Sequence, residues 1–407
     1  MNWNNYKGKK RIGSMRVLIV LTVAFNPNDG GVQRTSFKLG KFFSEQGIIV
    51  AYYSTEKEGH ISPEFGELYK SEQVGGTKCE ENLVHLRAKL GEFKPDIVIN
   101  QMPYERELTD VLANGKLELN FVLLGCLRNS LFSFKSNVRE IAKQNFSSFF
   151  FYFLNNRLGL TLLNLNHRLK HRRMLKRIID QHDRYILLAP PNREELEFFV
   201  GDYKKEKVLS IPNSIPDIIY CSPKKEKIIL HVGRINVAQK RSDLLLDFWA
   251  ETYQELFDWK FVIVGEGPYL EELKKDLQNR NLPRIEVKGY QKPEAYFEKA
   301  TFFMMPSAYE GFPNTILEAQ SYGVIPFAFS SYSAINWIVN SGKDSVLIEP
   351  YNTRLMAKKM IELAASSTMI NQYQKASYEN ASRFTISKVG EQWLGLFNSL
   401  LYGDSKQ

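Results

Sequence analysis

The stretch KIILHVGRINVAQKRSDLLLDFW, residues 227–249, sets the architecture. A short, almost wholly apolar run ends at Gly233, a polar loop follows, and from Leu244 the apolar residues take up helical spacing. An apolar run without alternation fits a strand buried on both faces, and a strand that leads into a helix is half of a βαβ unit. The unit recurs downstream: KFVIVG (260–265), RIEVKG (284–289), TFFMMP (301–306) and VIPFAF (324–329) each close at a turn and pass into a helical segment. Upstream, VLIVLTV (17–23), a helix from about Val32 to Gln46, IIVAYYS (48–54), DIVIN (96–100) and FVLLG (121–125) follow the same rhythm. Between the two series lies SIPNSIPDIIYCSPKKEK (210–227), rich in turn residues. The expectation is an α/β chain of two doubly wound domains, 15–220 and 224–384, preceded by a disordered extension over 1–14. The last helical pattern, 385–402, carries Val389, Trp393, Leu396, Phe397 and Leu400 on one face.

Composition agrees with that division. A chain of 407 residues with 43% apolar content is long enough to fill two cores. Lys and Arg (54) exceed Asp and Glu (45) by nine, a surplus that suits an anionic small molecule, a nucleic acid or a membrane surface alike. The three cysteines, Cys79, Cys126 and Cys221, are far apart and odd in number, which argues against a disulfide framework or zinc cluster and for a reducing cytoplasmic compartment. No export signal and no apolar run of bilayer length is visible. The six histidines show no HExxH or comparable metal spacing, and there is no GxxxxGK[ST] loop. GEGPYLEEL, from Gly265, is an incomplete dinucleotide fingerprint, so no cofactor is expected.

Three loops carry candidate chemistry. Gly30 and Gly31 lie between the first strand and its helix, where a ligand can approach the backbone and a helix N-terminus favours a phosphate; a tight βα turn alone would also use them. Arg234 follows a strand, and Lys240 with Arg241 opens the next helix. These cations at the carboxyl edge of a parallel strand can grip a pyrophosphate, or they are solvated surface charge. In MPSAYEGFPNTILEAQSYG (305–323), Glu310 and Gly311 sit on a loop, Pro313, Asn314 and Thr315 open a helix, and Glu318 lies within its first turns. Diphosphate oxygens can take that helix's N–H groups while Glu318 accepts ribose hydroxyls and Glu310 faces a sugar.

On these residues the chain resembles the retaining glycosyltransferases of the GT-B fold, family 4 (glycosyl transferases group 1), from Met15 to about Leu401. Gly233-Arg234 with Lys240 matches the family's Gly-Arg and Lys six residues on, and Glu310 with Glu318 in EGFPNTILEA matches its Glu-x7-Glu. Gly30-Gly31 matches its first loop, and Pro212-Asn213 the turn that closes the first domain. The resemblance implies two Rossmann-like domains facing each other across a cleft, with 385–402 crossing back onto the first domain. It assigns catalysis to Arg234, Lys240 and Glu310. Substrate binding would fall to Gly30, Gly31, Arg128, Asn213, Gly311, Phe312, Pro313, Asn314, Thr315 and Glu318. Many relatives have a histidine where FVLLGCLRNSLFSF offers Arg128 and Asn129, a departure that alters contacts with the transferred sugar or the acceptor.

The implied reaction moves a hexosyl unit from a UDP- or GDP-sugar to a saccharide or lipid-linked saccharide of a bacterial surface glycan. The absence of Asp-x-Asp points to a metal-independent design in which Arg234 and Lys240 replace the cation. Two alternatives are a non-catalytic scaffold in a glycan-assembly complex and a nucleic-acid binder using the basic run 167–177. That run ends a stretch, 145–177, in which FSSFFFYFL and leucines at 158, 162, 165 and 169 precede HRLKHRRMLKR. Aromatics beside cations suggest docking on an anionic membrane surface, while the same residues also fit a core helix with a solvated face.

Overall fold

The computed structural model describes residues 15–22, 25–26, 30–56, 64–72, 76, 79–145, 147–217 and 225–403. The expected disordered extension, 1–14, lies outside them, as do Cys221 and Phe146. The chain forms two compact units: one from residues up to Arg128, Arg168–Pro216 and Ile386 onward, the other from Asn129–His167 and Asp217–Thr385.

The first unit begins with β1 (Arg16–Leu21), α1 (Gly31–Glu45), β2 (Ile49–Ser54), β3 (Glu67–Lys70), α2 (Glu80–Phe93), β4 (Ile97–Asn100), α3 (Arg106–Leu119) and β5 (Val122–Cys126). Next along the chain come α4 (Ser133–Asn145) and α5 (Ser148–Leu154), which group with the other unit, and α6 (Arg157–Gln181), which spans the boundary, before the first unit resumes with β6 (Arg184–Leu187), α7 (Asn192–Val200) and β7 (Val208–Ser210). The seven strands pair in the order β3-β2-β1-β4-β5-β6-β7, all parallel. Val17 to Leu21 are fully buried, as a strand covered by helices on both faces must be. The boundary between units falls inside α6, so 129–167 groups apart from the 15–220 block expected from sequence. The connection from β5 to β6 is far longer than one crossover helix requires, and its middle is free to leave the sheet.

The second unit runs β8 (Ile228–Val232), α8 (Leu244–Ala250), β9 (Lys260–Val264), α9 (Leu270–Arg280), β10 (Ile285–Val287), α10 (Glu294–Lys299) and β11 (Phe302–Met305). It continues through α11 (Asn314–Ser321), β12 (Ile325–Phe329), α12 (Ile335–Ile338), β13 (Val346–Ile348), α13 (Thr353–Ala364) and α14 (Ser367–Ala381). Its sheet, β10-β9-β8-β11-β12-β13, is again wholly parallel. One face packs a core containing Trp249, Phe261, Phe302 and Phe327.

The last helix, α15 (Ile386–Tyr402), returns to the first unit and packs on α1. Val389, Trp393, Leu394 and Phe397 join the core formed by β1, β2 and α1. Contact is close enough that a Cβ at Gly390 would lie 2.2 Å from the Phe42 ring. The strands named from the sequence are all present. Strands β3, β6, β7 and β13, three or four residues each, were not anticipated, because runs so short leave no readable period.

In both sheets the strand order reverses once, between β1 and β4 in the first and between β8 and β11 in the second. At such a reversal the loops leaving the two strands splay to opposite sides and open a crevice at the carboxyl edge. Each unit therefore has one position at which a ligand site is favoured by topology.

Candidate active site

In the second unit the loops at the reversal are those that follow β8 and β11, and they carry the sequence-expected residues. Gly233 and Arg234 leave β8; Arg234 is exposed and has no side-chain partner among the described residues. Asn236 caps the next turn, its Oδ1 accepting from the backbone N–H of Gln239 (3.2 Å) and Lys240 (2.9 Å). That turn aims Lys240 across the crevice, where its Nζ donates to Glu310 Oε1 at 2.5 Å. Gln239 Nε2 donates to the other oxygen of Glu310 at 3.3 Å and its carbonyl accepts from Ala308 N at 2.8 Å, tying the loops together. Glu310 is 6% exposed, so its charge is compensated by two donors rather than by water.

Gly265 and Gly267 hold the neighbouring turn against this loop. A Cβ on Gly265 would stand 1.8 Å from the carbonyl oxygen of Gly233, and one on Gly267 would stand 2.2 Å from that of Ile235. Backbone bonds Gly233 N to Val264 O (3.1 Å) and Ile235 N to Glu266 O (2.8 Å) need that approach. Beneath the loop His231 is fully buried, its Nδ1 3.0 Å from Met304 O and its Nε2 without a partner. Burial holds its pKa down to about 4, so the imidazole is neutral near neutrality.

Pro313 sits at the N-cap of α11, with Asn314 and Thr315 in its first turn, so the helix N-terminus opens beside Glu310 and Gly311. Glu318 is half-buried within the same helix. Phe312 packs edge-on against Phe384 with ring centroids 6.0 Å apart, and the Thr315 hydroxyl contacts Met305 Sδ at 3.6 Å. These two side chains serve the loop's own structure. Gln239 and His231 were not singled out from the sequence; a lone glutamine in a polar loop and a histidine inside a strand carry no recognisable spacing.

In the first unit Gly30, with φ +54°, precedes α1 and Gly31 begins it. Arg128 lies just beyond β5 and is joined by Gln101, just beyond β4, and by Asn213: its Nε donates to Gln101 Oε1 and its Nη1 to Asn213 Oδ1 at 3.1 Å. Gln101 also escaped the sequence reading. Among the described residues no group of three or more His, Cys, Asp or Glu is placed to hold a metal ion.

Residues 226–366 match the family described as glycosyl transferases group 1. The chain is 28% identical over 206 residues to the poly(ribitol-phosphate) alpha-N-acetylglucosaminyltransferase of Staphylococcus aureus (strain COL), covering 49% of this chain and 41% of that one. It is 22% identical over 387 residues to an uncharacterized glycosyltransferase of Haemophilus influenzae (strain ATCC 51907 / DSM 11121 / KW20 / Rd), covering 90% and 96%. It spans 24% to 61% of the length of three curated relatives, the staphylococcal enzyme among them. Anabaena Alr3699/HepE, solved in complex with UDP and glucose, shares the fold with a TM-score of 0.70 at 14% identity, over 95% of this chain and 100% of that chain.

Proposed function

From the premise that this chain belongs to the glycosyl transferases group 1 family and has the GT-B fold, we propose that it transfers a hexosyl unit from a nucleoside diphosphate sugar, with retention at the anomeric carbon, to a saccharide or lipid-linked saccharide of a bacterial surface glycan. The observation that carries this reading is the crevice between β8 and β11, where Lys240 meets Glu310 on the loop that leads into the N-terminus of α11, with Arg234 exposed on the loop that follows β8. A leaving diphosphate gains negative charge as the glycosidic bond breaks. Fixed cations and helix N–H groups aimed at that charge lower the barrier without having to reorganise.

In this reading Arg234, exposed and unpaired, takes diphosphate oxygens directly. Lys240 turns to the phosphate from its present partner, and Glu310, released, faces the donor sugar. Glu318 takes the ribose hydroxyls. The acceptor hydroxyl attacks on the face the diphosphate leaves, a phosphate oxygen takes its proton, and no dedicated base or metal ion is used. The UDP of the Anabaena complex favours a uridine donor.

A lipid-linked acceptor would be met at the inner face of the plasma membrane. No helix among the described residues is long and apolar enough to cross a bilayer, so docking would be peripheral, through α5 and α6.

Calorimetric titration of the purified protein with UDP-, GDP- and ADP-sugars tests donor binding. Turnover on saccharide acceptors is then followed with and without EDTA, and the product anomer is read by NMR. Binding of one donor class, EDTA-resistant turnover and a retained anomeric configuration are expected. Failure to bind any sugar nucleotide would remove the reading, and donor binding without turnover on any acceptor would favour the non-catalytic scaffold.

A further inference from the structure

We propose that the carboxyl edge of the first sheet at β4 and β5, beside the crevice between β1 and β4, grips an oxyanion carried by the substrate saccharide, a carboxylate or a phosphate, through Arg128 with Gln101 and Asn213. The word substrate rests on the glycosyl-transfer reading; the anion grip rests on the geometry of this unit alone.

Arg128 follows β5 and Gln101 follows β4, beside the strand pair at which the order reverses. Two of the three guanidinium nitrogens are oriented from within: Nε on Gln101 Oε1 and Nη1 on Asn213 Oδ1. Both acceptors are neutral amides. Among the described residues no carboxylate pairs with Arg128, whereas Lys116, on the other side of β5, meets Asp183 at 2.5 Å and Lys240 meets Glu310. The Cys126 thiol is hydrogen-bonded to Arg128 but does not supply the missing charge, since burial pushes its pKa up.

Two donors in this cluster are unmet. Arg128 Nη2 is buried without a partner, and so is Nε2 of Gln101, a side chain with no solvent exposure whose oxygen is already committed to the arginine. Buried donors are normally satisfied and buried cations normally paired. A planar guanidinium held on two edges, with a third nitrogen and an adjacent amide N–H both unspent, fits an oxyanion that accepts from both. Neutral sugar hydroxyls would meet the donors and leave the charge uncompensated, so the ligand is acidic. A uronic-acid-type carboxylate and a phosphate are its two chemical sources.

The test uses the full-length protein with UDP held saturating, so that the second unit's cations are occupied. Thermal midpoints are recorded against methyl phosphate, glucuronate and glucose. The wild type is expected to rise saturably with one of the anions and not with glucose; the anion that acts identifies the source. Arg128→Gln should weaken that response at least tenfold while unfolding, without ligand, at or above the wild-type temperature, because an unpaired charge has been removed. Gln101→Glu supplies the counter-charge internally and should likewise abolish the response while raising the midpoint. An equal anion response in Arg128→Gln, no anion response in the wild type, or a large drop in the ligand-free midpoint of Arg128→Gln would each overturn the site. UDP affinity, measured first, should be the same in all three proteins. Its absence from the wild type would strike the transfer reading and leave the anion result standing.

Discussion

Lys240 and Glu310 are 70 residues apart in sequence and meet at 2.5 Å, which makes their substitutions readable in two ways. Arg234→Ala removes an exposed, unpaired cation and should leave the thermal midpoint unchanged while lowering kcat by about 30- to 1,000-fold, the effect of losing one transition-state contact of roughly 2–4 kcal/mol. Lys240→Ala should cost the same in turnover and, unlike Arg234→Ala, about 1–3 kcal/mol of stability, because Glu310 stays buried with only Gln239 as a donor. Near-normal turnover in both variants would remove the diphosphate assignment. The buried histidines give a pH signature. His182 and His231 have folded pKa values held down to about 4 by burial, below the ordinary 6.5. The unfolded chain therefore binds protons first as pH falls, so stability present above about pH 6.5 is lost between there and about pH 4, on the order of 3 kcal/mol per histidine. Urea unfolding of wild type and His231→Gln across that window should show a shallower pH dependence in the variant; parallel curves would contradict the burial argument.

At the level of single elements, α6 carries the largest difference between pattern and placement. Leucines at 158, 162, 165 and 169 have the spacing of a core face, yet in the structure all four are exposed, as are Tyr152 and Phe153 of α5. Helical periodicity puts Arg172, Arg173 and Lys176 on the same side, one to two turns further along, so an apolar tip is followed by a cationic collar. Two other cations of the basic run are engaged internally, Arg168 over the Phe198 ring at 4.7 Å and Arg177 with Asp110 at 3.6 Å. An apolar strip with adjoining positive charge suits an anionic bilayer surface, at about 1 kcal/mol per cation near the headgroups. Co-sedimentation with liposomes should rise with anionic lipid content and fall when Lys170, Arg172, Arg173 and Lys176 are neutralised or when the four leucines become serine. Equal sedimentation of all three proteins, or none at any composition, would remove the membrane role and leave glycosyl transfer untouched.

For the whole molecule, the first unit is incomplete without the chain's last helix. Trp393 is 2% exposed and packs edge-on against Phe43 and Phe397, joining the far end of the chain to the core around β1. Trp393→Ala should destabilise by about 3–5 kcal/mol, the usual result of emptying a buried aromatic site. The loss should appear in the first unit, so hydrogen exchange would show α1 and β2 opening while β9 and β11 keep their protection. Uniform loss across both sheets would mean that the units unfold as one.

The run of apolar strands ending in Gly or Pro, with helical spacing between them, determined by itself that the chain holds two parallel α/β sheets. That pattern follows from local backbone geometry and two-sided burial, which act within a dozen residues. Residue type and spacing also named Arg234, Lys240 and Glu310 as candidates, and the family resemblance added Arg128. Which of these meet was decided only by strand order: Lys240 reaches Glu310 because β8 lies beside β11, and Arg128 reaches Gln101 because β5 lies beside β4. Strand order depends on contacts between distant segments, and so do the orphaned donors of Arg128 and Gln101 and the exposure of the α6 leucines. No local period encodes what is missing from a neighbourhood; burial and partnership are properties of the assembled sheet edge, and the folded chain alone displays them.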